Sequence, residues 1–219
     1  MALNKNMSVK QIKDFLQHEL LMQLENDVKP IISVKLESGF FGIPKQLMTF
    51  VDFLGALHRG ITVEKDKNGN NIKILNKTSK AKLYIQKVLG EIDELYEQNG
   101  HTMYEMYRHG LIHLYQPKDL RKGKRRLSWI SYKGPRNSAA ITIKTDGGDF
   151  PHTVSHLKIA PHPLAKDLDL LPISVNCLYE DVYSSVEVFL KKIEKYKKYQ
   201  TRWRGAVNFL LRPKKYNYH

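Results

Sequence analysis

One cysteine, Cys177, stands in 219 residues. A disulfide within the chain and a multi-cysteine zinc site are both excluded, and a reducing compartment is expected. No stretch approaches the ~18 uninterrupted apolar residues of a membrane helix, and Met1 to Ser8 lacks the apolar core of a secretory leader. The expectation is a cytoplasmic protein with no membrane partner. Acids are scarce too, with 22 Asp and Glu against 36 Lys and Arg and a formal charge of +14. What is present suits one globular domain, 1–219, because a hydrophobic content of 42% is enough to bury a core at this length.

The shortage of acids is local. Residues 116–140 carry eight Lys/Arg and one acid, residues 191–219 carry ten and one, and the rest of the chain nets −2. A polyanionic partner is implied. Nucleic acid is preferred to an anionic membrane because Trp129, Tyr132, Tyr196, Tyr199 and Trp203 are interleaved with the charge and offer stacking surfaces. The candidate contacts to RNA are Lys118, Arg121, Lys122, Lys124, Arg125 and Arg126 in one segment, and Arg202 and Arg204 in the other.

Periodicity predicts helices over about 9–26 behind Ser8, 45–59 between Pro44 and Gly60, 80–98 closed by Gly100, and 177–200 behind Asn176. Residues 31–36 read as an extended segment or linker. Lys67-Asn-Gly-Asn between two short β-prone runs reads as a hairpin over 61–77. Strand-like runs at 127–132, 140–144 and 154–159 read as a small antiparallel sheet, so 118–160 is a basic loop plus a β insertion and 201–219 a basic aromatic tail. The fold class is α+β, mainly α.

The richest stretch is Thr102 to Tyr115. Thr102 with Glu105 forms a capping-box pattern and Pro117 forbids continuation, so a helix is predicted over about 103–115. At ~100° per residue, Glu105, Arg108, His109 and His113 fall within an arc of roughly 140°, while Met103, Tyr104, Tyr107, Leu111, Leu114 and Tyr115 lie opposite. An arginine can grip a phosphate with its planar fork, and a histidine can take a proton from a ribose 2′-hydroxyl or return one to a leaving 5′-oxygen. Such a set needs no metal or other cofactor. His109 and His113 also have zinc-ligand spacing, and His152, His156 and His162 are imaginable further ligands. No cysteine and no metalloprotease-like acid accompany them, so no metal is expected. Asp146 and Asp149 in a Gly-rich turn are read as a turn only. Gly110 inside the helix points to a close neighbour, backbone or substrate.

Arg108-His109-Gly110-Leu111-Ile112-His113 resembles the R-x4-H signature of the HEPN superfamily, and with Tyr115 it extends to the R-x4-H-x-Y form of HEPN toxins paired with a nucleotidyltransferase antitoxin. The run into His113-Leu-Tyr-Gln-Pro-Lys118, followed by strands and a last helix, is similar to HEPN-like bacterial proteins over residues 45–200. The resemblance implies a helical bundle with the sheet inserted between motif helix and C-terminal helix, and a metal-independent ribonuclease, usually a homodimer. It makes Arg108 and His113 catalytic, with His109 as the polar second residue. Glu105 would orient Arg108, and Tyr115 would be a site of regulatory nucleotidylation. Antitoxin or other regulatory partners and a toxin or antiviral defence role are further implications. The alternative within the family is a catalytically silent RNA-binding or dimeric scaffold protein.

Overall fold

Ser8 opens the first helix with a reciprocal cap: its Oγ accepts from the Gln11 N–H at 3.2 Å, and the Gln11 side chain accepts from the Ser8 N–H at 2.8 Å. The structure, a computed structural model, describes residues 6–34, 39–75, 77–110, 116–145 and 147–211; the side chains of His109, Lys122 and Thr145 fall outside that description. Helix α1 runs over residues 9–33, with wider π-wound turns at Phe15–Leu20 and Leu24–Val28. The second of these lies just before Pro30, which has no N–H to give the preceding turn. Looser winding lets the helix pass the proline. The segment expected to be extended or linker is therefore helical as far as Ser33.

Helix α2, Gly42–Arg59, buries Leu47, Met48, Val51, Leu54 and Leu57, carries Pro44 in its first turn and ends at Gly60. The hairpin follows, β1 (Thr62–Lys65) pairing β2 (Asn71–Ile74), with the Asp66 carboxylate accepting from the N–H groups of Asn68 and Asn70 in the turn. Lys80 is buried and donates to the carbonyls of Gly60 at 2.6 Å and Ile74 at 2.7 Å, fastening the end of α2 to the hairpin. Paired in this way, its ammonium is not left unsatisfied.

Helix α3 spans Thr78–Lys87, and after a short 3-10 turn at Leu89–Glu91 the chain reverses into α4, residues 95–109, α-helical over Leu95–Tyr104 and π-wound over Glu105–His109. This corrects two expectations. Gly100 does not close a helix, and Thr102 does not cap one; both lie inside α4. A Cβ at Gly100 would stand 2.2 Å from Ile85 Cγ2, so the glycine serves the close packing of α4 on α3. The reversal falls seven to twelve residues earlier, where Asp93 Oδ1 accepts from the Leu95 N–H at 2.9 Å.

The expected three-stranded antiparallel sheet is also corrected. Strand β4 (Arg125–Tyr132) pairs antiparallel with β3 (Leu120–Lys122) and parallel with β8 (Leu168–Ser174), whose far edge carries the two-residue β7 (Ala160–Pro161). Strands β5 (Ala139–Thr145) and β6 (Gly148–Val154) form a separate hairpin, and residues 155–159 turn, with Leu157 at φ +60°. Strand β8 escapes a reading based on alternation because Leu170, Leu171 and Ile173 are all buried, the pattern of a strand covered on both faces. The β insertion thus extends from 120 to 174.

Ser174, not Asn176, caps helix α5, Val175–Lys195, by accepting from the Cys177 N–H. One extended residue, Tyr196, separates it from α6, Lys197–Leu210. Residues 201–210 are therefore helix and not a tail. Trp203 is fully buried, its ring edge-on to Phe15 at 6.0 Å; residues 212–219 lie outside the described residues. Leu16, Leu54, Tyr84, Met103, Leu171, Phe189 and Trp203 belong to one buried cluster, so bundle, sheet and last helix share a core. With about 55% helix and 21% strand, the chain is α+β, mainly α. Among the described residues no helix is long and apolar enough to cross a membrane.

Candidate active site and nucleic-acid interface

The motif helix sorts its described residues much as its periodicity predicts. Met103, Tyr104 and Tyr107 are buried, as is Met106, while Glu105 and Arg108 are part exposed. The expected continuation to about 115, and with it His113 and Tyr115, lies outside the described residues, as does the side chain of His109. Gly110 meets its neighbour in the form of backbone: a Cβ there would sit 2.4 Å from the Lys118 nitrogen and 2.5 Å from the Gln116 carbonyl oxygen. The Lys118 N–H donates to the Met106 carbonyl at 3.0 Å, so the chain beyond the motif folds back onto the helix that carries it.

Arg108 is oriented by Asp52 of α2 and not, as expected, by Glu105. Its Nε donates to Asp52 Oδ2 at 2.6 Å, and the Tyr104 hydroxyl donates to Asp52 Oδ1 at 2.5 Å. Burial, followed by that bond to Asp52, pushes the Tyr104 phenol well above its ordinary range, so the hydroxyl stays a donor. Asp52 takes the Nε side of the guanidinium, and among the described residues the Nη groups have no hydrogen-bond acceptor. Glu105 instead meets Lys82 of α3 and stands 3.5 Å from Lys118, while the Lys82 ammonium reaches His101 Nε2 at 2.9 Å. A row of polar side chains, His101, Lys82, Glu105 and Lys118, with the Glu105 carboxylate between two ammoniums, therefore runs beside the Arg108 and Asp52 pair. Asp52 was missed because it sits in an apolar helix; it is the one acid between residues 45 and 59, and that isolation was the available signal.

The first basic segment forms the β3–β4 hairpin. Its register sets Arg121 opposite Arg126 and Lys122 opposite Arg125, like charges that repel across a ladder. Acids placed alongside relieve this. Arg125 makes a two-pronged contact with Asp169, Nε to Oδ2 at 2.8 Å, and Arg126 reaches Asp119 at 3.0 Å, which also accepts from Ser128 Oγ at 2.7 Å. Of the six predicted contacts here, Lys118, Arg125 and Arg126 are thus already paired. Arg121 and Lys124 are exposed with no acid partner among the described residues, and the Lys122 side chain lies outside them.

The second segment is built differently. Arg202 lies over the Tyr199 ring at 5.4 Å and approaches the His58 carbonyl, and exposed Arg204 approaches the Met7 carbonyl, both at 3.5 Å. Tyr199 stacks on His58 with centroids 5.0 Å apart and planes 26° from parallel, and Tyr84 and Phe189 meet the imidazole edge-on. His58 is 4% exposed, and among the described residues neither ring nitrogen has a hydrogen-bond partner. Burial first, then the nearby charges of Arg202, Lys192, Arg59 and Lys198, lower its pKa to about 4, so it is a neutral aromatic slab.

His156 and His162 are each held in a local network. His156 is fully buried and its Nδ1 accepts from the Ser174 N–H at 3.0 Å, which assigns the proton to Nε2, 3.0 Å from the Tyr96 hydroxyl. Tyr96 in turn donates to Asp181 at 2.8 Å, and Arg136 bridges Asp181 and Asp93, both at 2.5 Å. Burial lowers the His156 pKa to about 3. This network fixes the turns around 136 and 156 to α5 and to the α3–α4 reversal. His162 accepts from the Leu164 and Ala165 N–H groups within its own turn. Among the described residues no group of three or more His, Cys, Asp or Glu is placed to hold a metal ion. No family model, curated protein or solved structure matches the chain.

Proposed function

We propose that the protein is a metal-independent endoribonuclease of the HEPN type, acting as a homodimer. Arg108 binds the scissile phosphate through its Nη groups. His113 takes the proton of the ribose 2′-hydroxyl or returns one to the 5′-oxygen, with His109 as its polar neighbour, and the cut end is a 2′,3′-cyclic phosphate. A regulatory partner acting at Tyr115, in a toxin or defence setting, belongs to the same reading. The observation that carries it is the one-sided grip of Asp52 on Arg108, which fixes the guanidinium and leaves its outer donors for an anion.

That same ion pair favours a second reading, a catalytically silent RNA-binding or scaffold protein, because an Arg–Asp–Tyr cluster also serves to join α4 to α2. Cleavage of a labelled RNA in EDTA separates the two. Under the first reading the wild type cuts in chelator, and Arg108→Ala and His113→Ala variants of unchanged fold and oligomeric state each lose at least about 100-fold. If none cuts and all three bind RNA equally, the second reading holds.

A further inference from the structure

The two basic segments are not equivalent as nucleic-acid surfaces, and the α5–α6 elbow differs from the β3–β4 hairpin in three independent ways. Its cations are unpaired: among the described residues, Lys195, Lys197, Lys198, Arg202 and Arg204 have no acid partner, and the acid next to them in sequence, Glu194, lies 3.7 Å from Lys13. Its aromatic ring is presented. Tyr196 is the single extended residue between two helices and is 43% exposed, whereas in the hairpin Tyr132 is buried and half-buried Trp129 has its ring edge-on to Phe41 at 5.3 Å. Its ring has aromatic support, because Tyr196 meets Tyr199 edge-on at 6.2 Å and Tyr199 in turn stacks on the His58 slab and carries Arg202 at 5.4 Å.

We infer that the α5–α6 elbow is a binding site for a single-stranded nucleic acid, with an unpaired base stacking on Tyr196 and the adjoining phosphates lying among Lys195, Lys197, Lys198 and Arg202. It deepens the RNA reading above and rests on it. In the free protein the Lys195 and Lys198 ammoniums lie 5.3 Å and 5.5 Å from the Tyr196 ring centre. These are exposed cation–π contacts of small energy. Flexible lysines can swing from ring to phosphate, so one arrival supplies the stacking surface and the counter-charges together. A duplex presents no free base face to such a ring. An anionic bilayer fits poorly, since the exposed positions along the first turns of α6 are Lys197, Lys198, Thr201 and Arg204, with no apolar side to embed.

The test is fluorescence anisotropy of a short labelled oligouridine with the full chain over a range of salt, with an unlabelled single-stranded DNA, a duplex RNA and anionic vesicles as competitors. Tyr196→Ala is expected to weaken binding roughly 5- to 100-fold with an unchanged salt slope, and Tyr196→Phe to bind as the wild type does. The Lys195→Gln, Lys197→Gln, Lys198→Gln triple variant is expected to weaken binding and flatten the slope, and only single strands should compete. RNA competing better than DNA of the same sequence identifies an additional hydroxyl contact; equal competition leaves base and phosphate as the recognised groups. If Tyr196→Ala binds like wild type while Arg121→Gln with Lys124→Gln loses binding, the hairpin is the surface; the elbow proposal falls and the RNA reading survives. If the wild type binds no RNA, or vesicles compete best, both fall.

Discussion

The hairpin at 120–132 and the elbow at 195–204 look alike as strings of Lys and Arg between aromatics, yet they behave as opposites in the fold. In the hairpin, antiparallel pairing forces like charges together, and Asp119, Asp169 and Glu105 answer them. Half of the six cations there are spent on pairing, and Arg121 and Lys124 are the ones left without an acid partner among the described residues. In the elbow the cations sit on helix surfaces and against aromatic faces, and their field reaches solvent. Net charge along a sequence is thus a poor guide to binding potential until each cation's partner is known, because a paired guanidinium offers little to a phosphate.

The comparison breaks first if α6 is a detachable appendage. Trp203→Ala is expected to cost about 3–5 kcal/mol of unfolding free energy, the usual loss for a large aromatic removed from a core, and the denaturant midpoint reads it. A change near zero would return residues 201–210 to the status of a tail and deprive the elbow of its support.

Much of this was legible in sequence and some was not, for identifiable reasons. The core stripes of α2 and α5 and the hairpin turn at Asp66 to Asn70 follow from local periodicity and turn chemistry, which act within a few residues. The α3–α4 boundary was misplaced because Gly100 resembles a stop signal, when its actual constraint is contact with Ile85, distant in sequence. The parallel partnership of β4 with β8 joins residues some forty apart, and no short window contains it. At the candidate site, Arg108 and Glu105 were found by type and spacing, but the carboxylate that grips Arg108 comes from another helix. A short motif names its own residues and not their partners.

A sharper comparison comes from acid. His58 beneath Tyr199 holds its pKa near 4 in the folded protein against about 6.5 unfolded, so between those values the unfolded chain takes up a proton that the folded one refuses. The stabilisation is whole above pH 6.5 and is lost as pH falls toward 4, by on the order of 3 kcal/mol from this residue. His58→Phe, which keeps a ring against Tyr199, should flatten that part of the denaturant midpoint against pH curve while leaving oligouridine affinity at neutral pH unchanged. His156, lowered to about 3 in its own network, still titrates in the variant, so some slope remains. An unaltered curve would mean that the imidazole is not the neutral slab on which the elbow is built.

The smallest expected effect bears most directly on the hairpin. Arg125 is exposed, but Asp169 occupies it through two contacts and the Lys166 carbonyl accepts from Nη1 at 3.3 Å. Its contribution to the field felt by a distant phosphate is mostly cancelled by the carboxylate beside it. Arg125→Gln should therefore leave oligouridine affinity within about twofold of wild type. Asp169→Asn should do the reverse of what a lost salt bridge suggests, raising affinity slightly and steepening the salt dependence, because it releases a guanidinium next to Arg121 and Lys124. If Arg125→Gln instead weakens binding as much as Tyr196→Ala does, pairing in the free protein does not decide which cations meet the nucleic acid, and the contrast between the two segments has no functional content.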